Sequence, residues 1–245
     1  MDKFSVLTSQ ASPAEVEKRF PLLSFRSLIK IYRRLLRILP KLSRKYYFEK
    51  SMAFDHSLFE TNPECFIDGY FQSYKYFEGV NDIILQEFQP KEAPDEVNHH
   101  LIRVMQVANS VSLHIRRGDY ISSAEANKVH GICGLEYYRA AVENLQSRLV
   151  DPQYFVFSDD IAWAKENLDL GAGATFVQHN AGSKSYWDLV LMSHCKHNII
   201  ANSTFSWWGA WLNQNPDKIV YAPKTWFADS SKNTSDLIPQ SWMRI

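Results

Sequence analysis

Two adjacent arginines, followed by glycine and aspartate, stand at the end of the apolar run in the segment VSLHIRRGDY, residues 111–120. An arginine always carries its charge and can donate two parallel hydrogen bonds to a carboxylate or phosphate. Arg116 and Arg117 can therefore hold a diphosphate together. Alternatively, one binds a ligand while the other pairs with Asp119, which the alternation of side chains along an extended backbone favours. A surface ion pair of little energetic value is the purely structural alternative.

Further polar side chains precede and follow this motif at strand ends. His114 shares a strand face with Arg116, and its neutral imidazole can bind a base or phosphate, or be a satisfied core histidine. In the segment FVFSDD, Asp159 or Asp160 can accept hydrogen bonds from the sugar or base of a nucleotide. We favour Asp159 for this role, and the structural alternative is that either carboxylate caps the next helix.

The segment ANSTFSWWGAWL, residues 201–212, places small hydroxyl residues where a helix begins after a strand. Free backbone N–H groups and the positive end of the helix dipole make such a position suitable for phosphate. Ser203, Thr204 and Ser206 add side-chain donors, although Ser203 or Thr204 can instead be an ordinary N-cap. Together these motifs favour a nucleotide diphosphate bound without a glycine-rich loop. The chain has neither a Walker lysine motif nor a G-x-G-x-x-G motif, so neither ATP hydrolysis nor nicotinamide chemistry is indicated.

The elements that carry these residues alternate regularly after residue 101. Short apolar runs predict strands in the segments VSLHI, QYFVFSDD, ATFVQ, HNIIANS and DKIVYAP. Helical periodicity predicts helices in the segments LEYYRAAVENLQSRLV, DIAWAKENL, KSYWDLVLMSHC and TFSWWGAWLN. This alternation is typical of an α/β fold with a parallel sheet, in which ligands bind at the carboxyl ends of the strands.

The first part of the chain is less regular. The segment SPAE at residues 12–15 predicts a capped helix start. A strand is expected at 65–73, and a helix that contains Gly79 is expected at 74–88. The polar, proline-containing segment 89–100 is a candidate linker, followed by a helix to about residue 108. We therefore expect an N-terminal lobe at 1–100 and a ligand-binding lobe at 101–245.

Composition excludes several classes of protein. The chain has 245 residues, of which 45% are hydrophobic and 22% charged, as in ordinary globular proteins. It contains no apolar window long enough to span a membrane and no apolar signal segment at its start. Three scattered cysteines and the histidines show no disulfide or metal-ligand spacing, so we expect a cytoplasmic protein without a metal site.

Positive charge is concentrated in one part of the chain, although the net charge of the whole chain is zero. Residues 18–48 contain ten Lys and Arg but no Asp or Glu. Within them, residues 26–45 predict a basic amphipathic helix. We favour a helix that packs on its own domain with a solvated basic face. The alternative is peripheral contact with the inner face of an anionic membrane. No accompanying motif indicates nucleic-acid binding.

Three long segments carry a resemblance to a known family. HIRRGDY, FVFSDDIAWAKENL and IIANSTFSWWGAWLNQNPDKIVYAPKTW, together with GYFQSYKYF at residues 69–77, resemble the α-1,2-fucosyltransferase family over about 54 to 228. The resemblance implies a GT-B-like fold with two Rossmann-like lobes. It also implies transfer of fucose from GDP-fucose to the 2-hydroxyl of a galactose, with inversion and without a metal or cofactor. The acceptor would be a galactose-terminated oligosaccharide or glycolipid.

The resemblance also assigns roles to residues. Arg116 would hold the diphosphate and act in catalysis, His114 would lie on the guanine side, and Asp159 or Asp160 would bind the guanosine. Asp119 is the second catalytic candidate, or it orients Arg117. The remaining donor-binding candidates are Arg117, Asn202, Ser203, Thr204, Phe205 and Ser206.

One feature departs from the family pattern. Members usually open with a strand and a glycine-rich turn, whereas this chain has no glycine before Gly69. We therefore expect a smaller, incomplete N-terminal lobe. Because that lobe forms the acceptor side, the departure affects catalysis more than donor binding. The alternative function is a catalytically impaired protein that still binds a GDP-sugar.

Overall fold

A computed structural model of the chain describes residues 2–7, 11–21, 31, 34–35, 46–118 and 131–245. Most of the predicted basic helix at 26–45 lies outside the described residues, as does Asp119, and both stay predictions. The chain divides into two compact units. The N-terminal unit comprises Met1–Gln89 and Asn233–Leu237, and the C-terminal unit comprises Pro90–Lys232 and Ile238–Ile245.

Within its described residues, the N-terminal unit contains short elements. In chain order they are helix α1 (Pro13–Arg19), strand β1 (Tyr46–Phe48), a 3-10 turn (His56–Leu58), strand β2 (Phe66–Asp68), a 3-10 turn (Tyr74–Tyr76) and helix α2 (Asn81–Glu87). The two strands pair in parallel. The strand expected at 65–73 is only three residues long. The helix expected at 74–88 is interrupted, because Gly79 adopts a φ of 86°.

Local sequence signals explain how these short elements hold together. Ser12 caps α1 as predicted, since its hydroxyl accepts the Glu15 N–H at 3.2 Å while Glu15 accepts the Ser12 N–H at 2.7 Å. Phe20 packs edge-on against both Tyr46 and Phe66, with ring centroids 5.0 and 5.1 Å apart. Aromatic packing of this kind supplies the small core of the unit.

The C-terminal unit is built around one sheet. Its elements are α3 (Glu96–Val107), β3 (Asn109–Ile115), α4 (Leu135–Gln146), β4 (Pro152–Ser158), α5 (Ile161–Asn167), β5 (Thr175–Val177), a 3-10 turn (Gly182–Lys184), α6 (Tyr186–His194), β6 (His197–Ile199), α7 (Thr204–Leu212), β7 (Val220–Ala222) and β8 (Met243–Arg244). All five predicted strands and the four helices between them are confirmed. Helix α3 begins inside the segment predicted as a linker, because Asp95 caps it by accepting the Asn98 N–H at 3.0 Å.

All six strands of this sheet are parallel, in the order β5-β4-β3-β6-β7-β8. The α/β class is thereby confirmed, and the order matches that of a Rossmann-like sheet. From β3 the chain first builds outward through β4 and β5, and then returns to the other side of β3 with β6. The order therefore reverses between β3 and β6.

Both faces of the sheet are buried, as parallel sheets require. On one face, Val111 and Leu113 pack with residues of α4 and α5. On the other face, Phe155 and Phe157 pack with residues of α3 and α6, among them Met192. The consequence is a rigid sheet whose strand ends hold the polar motifs at fixed separations.

Candidate active site

The predicted site residues that the structure describes, which exclude Asp119, lie at the carboxyl ends of three adjacent strands. His114 is the penultimate residue of β3 and Arg116 follows that strand directly. Asp159 follows β4, and Ser203 lies between β6 and α7. Because β3 pairs with both β4 and β6, the three loops leave neighbouring positions at one edge of the sheet. Ligands of doubly wound sheets bind at this edge, where the strand order reverses.

His114 is buried against α7. Its ring lies 5.8 Å from the ring of Phe205, and its side chain has an Nδ1 atom without a hydrogen-bond partner among the described residues. Burial lowers the pKa of His114 to about 4, an effect that the nearby Asp159 carboxylate opposes. The imidazole is therefore neutral at pH 7 and can donate or accept one hydrogen bond.

The two arginines point to different groups, while the predicted pairing of one of them with Asp119 lies outside the described residues. Arg116 Nη1 lies 3.3 Å from Asp159 Oδ2. The guanidinium of Arg117 instead stacks on Trp163 of α5, 3.9 Å from the ring centroid, and its Nε lies 3.8 Å from Asp160 Oδ2. Arg117 is thus directed to the α4 and α5 face, away from the face that carries His114.

Both carboxylates after β4 are engaged by protein groups. Asp159 Oδ1 accepts the Arg117 N–H at 2.8 Å. Asp160 Oδ1 accepts the Trp163 N–H at 3.1 Å, so Asp160 is the N-cap of α5. Sequence analysis gave helix capping as the alternative role of either carboxylate. The structure confirms that role for Asp160.

The first turn of α7 keeps donors available. Ser203 is the N-cap residue, but its hydroxyl makes no capping hydrogen bond, and Thr204 is exposed. The first N–H groups of any α-helix also lack partners within the helix. Ser206 differs, because it is buried and its hydroxyl donates to the Ser203 carbonyl at 3.3 Å.

Asn202 is buried and bonded to neighbouring loops. Its Nδ2 donates to the carbonyls of Gly131 and Trp226, both at 3.2 Å, and its Oδ1 lies 3.3 Å from the Cys133 thiol. Gly131 adopts a φ of 70°, a conformation that favours glycine. Asn202 therefore links the loops that follow β6 and β7 with the segment before α4.

One polar cluster at the same edge was missed by sequence analysis. Asn98 is fully buried and exchanges two hydrogen bonds with Asn180, at 2.9 and 3.0 Å. His179 Nε2 lies 3.0 Å from Asn98 Oδ1, and Asn180 also donates to Asp188 Oδ1 at 2.9 Å. Burial raises the pKa of Asp188 to about 6, although the bond from Asn180 opposes this. The polar residues His179 and Asn180 follow β5 closely, as other polar motifs follow β4 and β6, and this pattern could have identified the cluster from the sequence.

Among the described residues, no helix is both long and apolar enough to cross a membrane. No group of three or more His, Cys, Asp or Glu side chains in the same part of the chain could hold a metal ion. The polar groups brought together at the sheet edge are donors and paired carboxylates.

Comparison with known proteins identifies the family. A sequence model of glycosyl transferase family 11 matches residues 20–245, which is nearly the whole chain. The chain belongs to glycosyl transferase family 11. The resemblance read from the sequence motifs is thereby confirmed, and family 11 is a family of glycosyltransferases.

Two bacterial proteins are similar to most of this chain. The O-antigen biosynthesis glycosyltransferase WbnK of Escherichia coli is 41% identical over 72% of this chain and 59% of its own length. An alpha-1,2-colitosyltransferase of Escherichia coli is 39% identical over 72% of this chain and 61% of its own length. The galactoside alpha-(1,2)-fucosyltransferase 2 of Gorilla gorilla gorilla is 29% identical over 59% of this chain and 44% of its own length. The chain thus spans less than two thirds of each relative.

Proposed function

We propose that this family 11 chain is a galactoside 2-α-L-fucosyltransferase, which transfers fucose from GDP-β-L-fucose to the 2-hydroxyl of a galactose residue with inversion. The observation that carries the proposal is the placement of Arg116 and of the first turn of α7 on the two sides of the strand-order reversal. The name of the gorilla relative supports the choice of sugar and linkage.

In the proposed reaction, negative charge develops on the leaving GDP while the sugar becomes oxocarbenium-like. Arg116 donates two hydrogen bonds to the diphosphate, and the N–H groups and hydroxyls at Ser203 and Thr204 donate to its other oxygens. A fixed donor aimed at developing charge lowers a barrier by about 3 kcal/mol. His114, neutral at pH 7, lies on the guanine side of the donor.

The scheme needs no metal ion, because a permanent guanidinium charge and a helix N-terminus carry the role that a cation would have. We assign the N-terminal unit to the acceptor side of a GT-B-like enzyme. Asp119 is the second proposed catalytic residue, or it orients Arg117. The proposed acceptor is a galactose-terminated oligosaccharide or glycolipid, and contact of residues 26–45 with an anionic membrane stays a prediction.

One observation favours a second candidate for the sugar donor, GDP-colitose. The bacterial relative at 39% identity is named a colitosyltransferase and matches this chain more closely than the gorilla relative does. Colitose in place of fucose would leave the proposed role of Arg116 unchanged. The remaining alternative is a chain that binds a GDP-sugar without transferring it.

The test is transfer by the purified chain. GDP-fucose and GDP-colitose are each supplied with lactose or a longer β-galactoside, GDP release is measured, and the new linkage is assigned by NMR. We expect an α-1,2 linkage to galactose. Arg116→Lys should lower the rate, whereas the matched control Arg139→Lys, on the exposed face of α4, should keep it. A folded chain that neither binds GDP nor turns over would refute the proposal, and GDP binding without turnover would support the impaired alternative.

A further inference from the structure

The ends of β3 and β4 are fastened together by five residues, which we call the strand-end clasp: Arg116, Arg117, Asp159, Asp160 and Trp163. Asp159 accepts the Arg117 N–H at 2.8 Å and lies 3.3 Å from Arg116 Nη1. Asp160 and Trp163 hold the Arg117 side chain on the other face. Both oxygens of Asp159 therefore face groups of the β3 turn.

We infer that Asp159 is a positioning residue, which orients the guanidinium of Arg116 toward the donor diphosphate and does not itself contact the donor. The inference rests on the proposed function. It replaces the assignment of Asp159 to the guanosine, which came from the family resemblance.

Packing around Asp159 supports this role. A Cβ atom on Gly118 would lie 3.1 Å from Asp159 Oδ2 and 3.2 Å from Asp159 Cγ, closer than most real contacts. The carboxylate thus lies directly against the backbone of the β3 turn, and its side chain is 24% exposed. Little of its surface is left for a nucleoside.

Charge leads to the same conclusion. The two guanidinium groups of the clasp are balanced by two carboxylates, and Asp159 placed against the diphosphate itself would repel it. Held beside Arg116, the same carboxylate instead limits the conformations of a long side chain that would otherwise have to be ordered at each turnover. Asp159 therefore contributes more to the transition state than to donor affinity.

Steady-state kinetics of Asp159→Asn test whether Asp159 contributes to the transition state more than to donor affinity. The amide oxygen can still accept the Arg117 N–H, while the ion pair with Arg116 is lost. We expect kcat to fall by about 10- to 100-fold and the KM for GDP-fucose to change by less than about threefold. Asp169→Asn, the same change at an exposed position, should leave both constants unchanged. A KM raised tenfold with kcat preserved would show that Asp159 contacts the donor, and would overturn the inference.

A double-mutant cycle identifies the partner through which Asp159 acts. If its effect passes through Arg116, adding Asp159→Asn to Arg116→Lys should lower kcat by less than about threefold. Additive losses would overturn the inference. Should Asp159→Asn fail to fold, Gly118→Ala displaces the same carboxylate from the backbone side and should also lower kcat selectively.

A measurement without substrate separates this inference from the proposed function. The ¹⁵N relaxation of the Arg116 Nε–H group should report an ordered side chain in the wild-type chain and a more mobile one in Asp159→Asn. Equal order in both would overturn the inference, whether or not the chain transfers fucose. Loss of order together with no transfer would support the positioning role and count only against the proposed function.

Discussion

Two adjacent arginines with different surroundings allow one substitution to be compared in two roles. Arg116→Lys changes the side chain proposed to hold the diphosphate, while Arg117→Lys changes the one that stacks on Trp163 at 3.9 Å. Both variants keep the charge and replace a planar fork by a compact ammonium group. Any difference between them therefore reflects position and not chemistry.

The expected magnitudes follow from these contacts. Arg116→Lys loses one of two parallel charge-assisted bonds to the diphosphate, about 1–3 kcal/mol, so kcat/KM should fall by about 5- to 150-fold. Its pair with Asp159 is partly exposed, at 34% and 24%, so stability should change by less than about 0.5 kcal/mol. Arg117→Lys loses the stacking on Trp163 and should lower the free energy of unfolding by about 1–2 kcal/mol.

The assay combines urea unfolding with GDP-release kinetics, corrected for the folded fraction of each variant. Arg116→Lys should be catalytically weak but stable, and Arg117→Lys should be unstable but closer to wild-type activity per folded molecule. The reverse pattern would show that Arg117 and not Arg116 binds the diphosphate, and would refute our account of this strand end.

Three other substitutions test the surrounding structure. Gly209→Ala would place a Cβ 2.8 Å from the Cβ of Met192, so the packing of α7 on α6 should weaken by about 1–3 kcal/mol in urea unfolding. Asn202→Ala removes the donor to the buried Trp226 carbonyl and to the partly buried Gly131 carbonyl and should cost about 2–3 kcal/mol, whereas normal stability with lost GDP affinity would place Asn202 in the donor site instead. Asp188→Asn should stabilise the protein at pH 7 by about 1–2 kcal/mol, because burial raises the pKa of Asp188 to about 6. Between pH 4 and 6 the native state then binds more protons than the unfolded state, so the wild type loses stability as pH rises through this window. Below pH 4 the carboxyl group is protonated in both states, and the stability advantage of Asp188→Asn should vanish.

Local signals were sufficient for most elements of the C-terminal unit. Each of the strands β3 to β7 is a short apolar run followed by polar residues, so its position could be predicted without knowledge of its partners. Strand β8 was missed because two residues, Met243 and Arg244, carry no periodicity. The start of α3 was assigned to a linker because its first turns are polar, and only the packing of Asn98 shows that this face is buried.

Partners distant in sequence could not be predicted in the same way. The placement of Asp159 beside Arg116 depends on the register of two strands, in which Ile115 lies opposite Ser158. Asn98 and Asn180 meet only because α3 packs beside the loop after β5. The sequence therefore predicted which residue types collect at the sheet edge, but not which of them bond to each other.

The distribution of bonded and unbonded polar groups indicates where an anionic ligand would bind. Both carboxylates after β4 are engaged by groups of the clasp. Around β3 and β6, by contrast, His114 Nδ1 has no partner among the described residues and the hydroxyl of Ser203 makes no capping bond. Polar groups left without partners in a buried or half-buried position cost stability, and a bound ligand can satisfy them. A donor nucleotide above the β3–β6 junction would meet His114 on its guanine side and Ser203 at its diphosphate, and Arg116, oriented from the β4 side, would meet the same diphosphate.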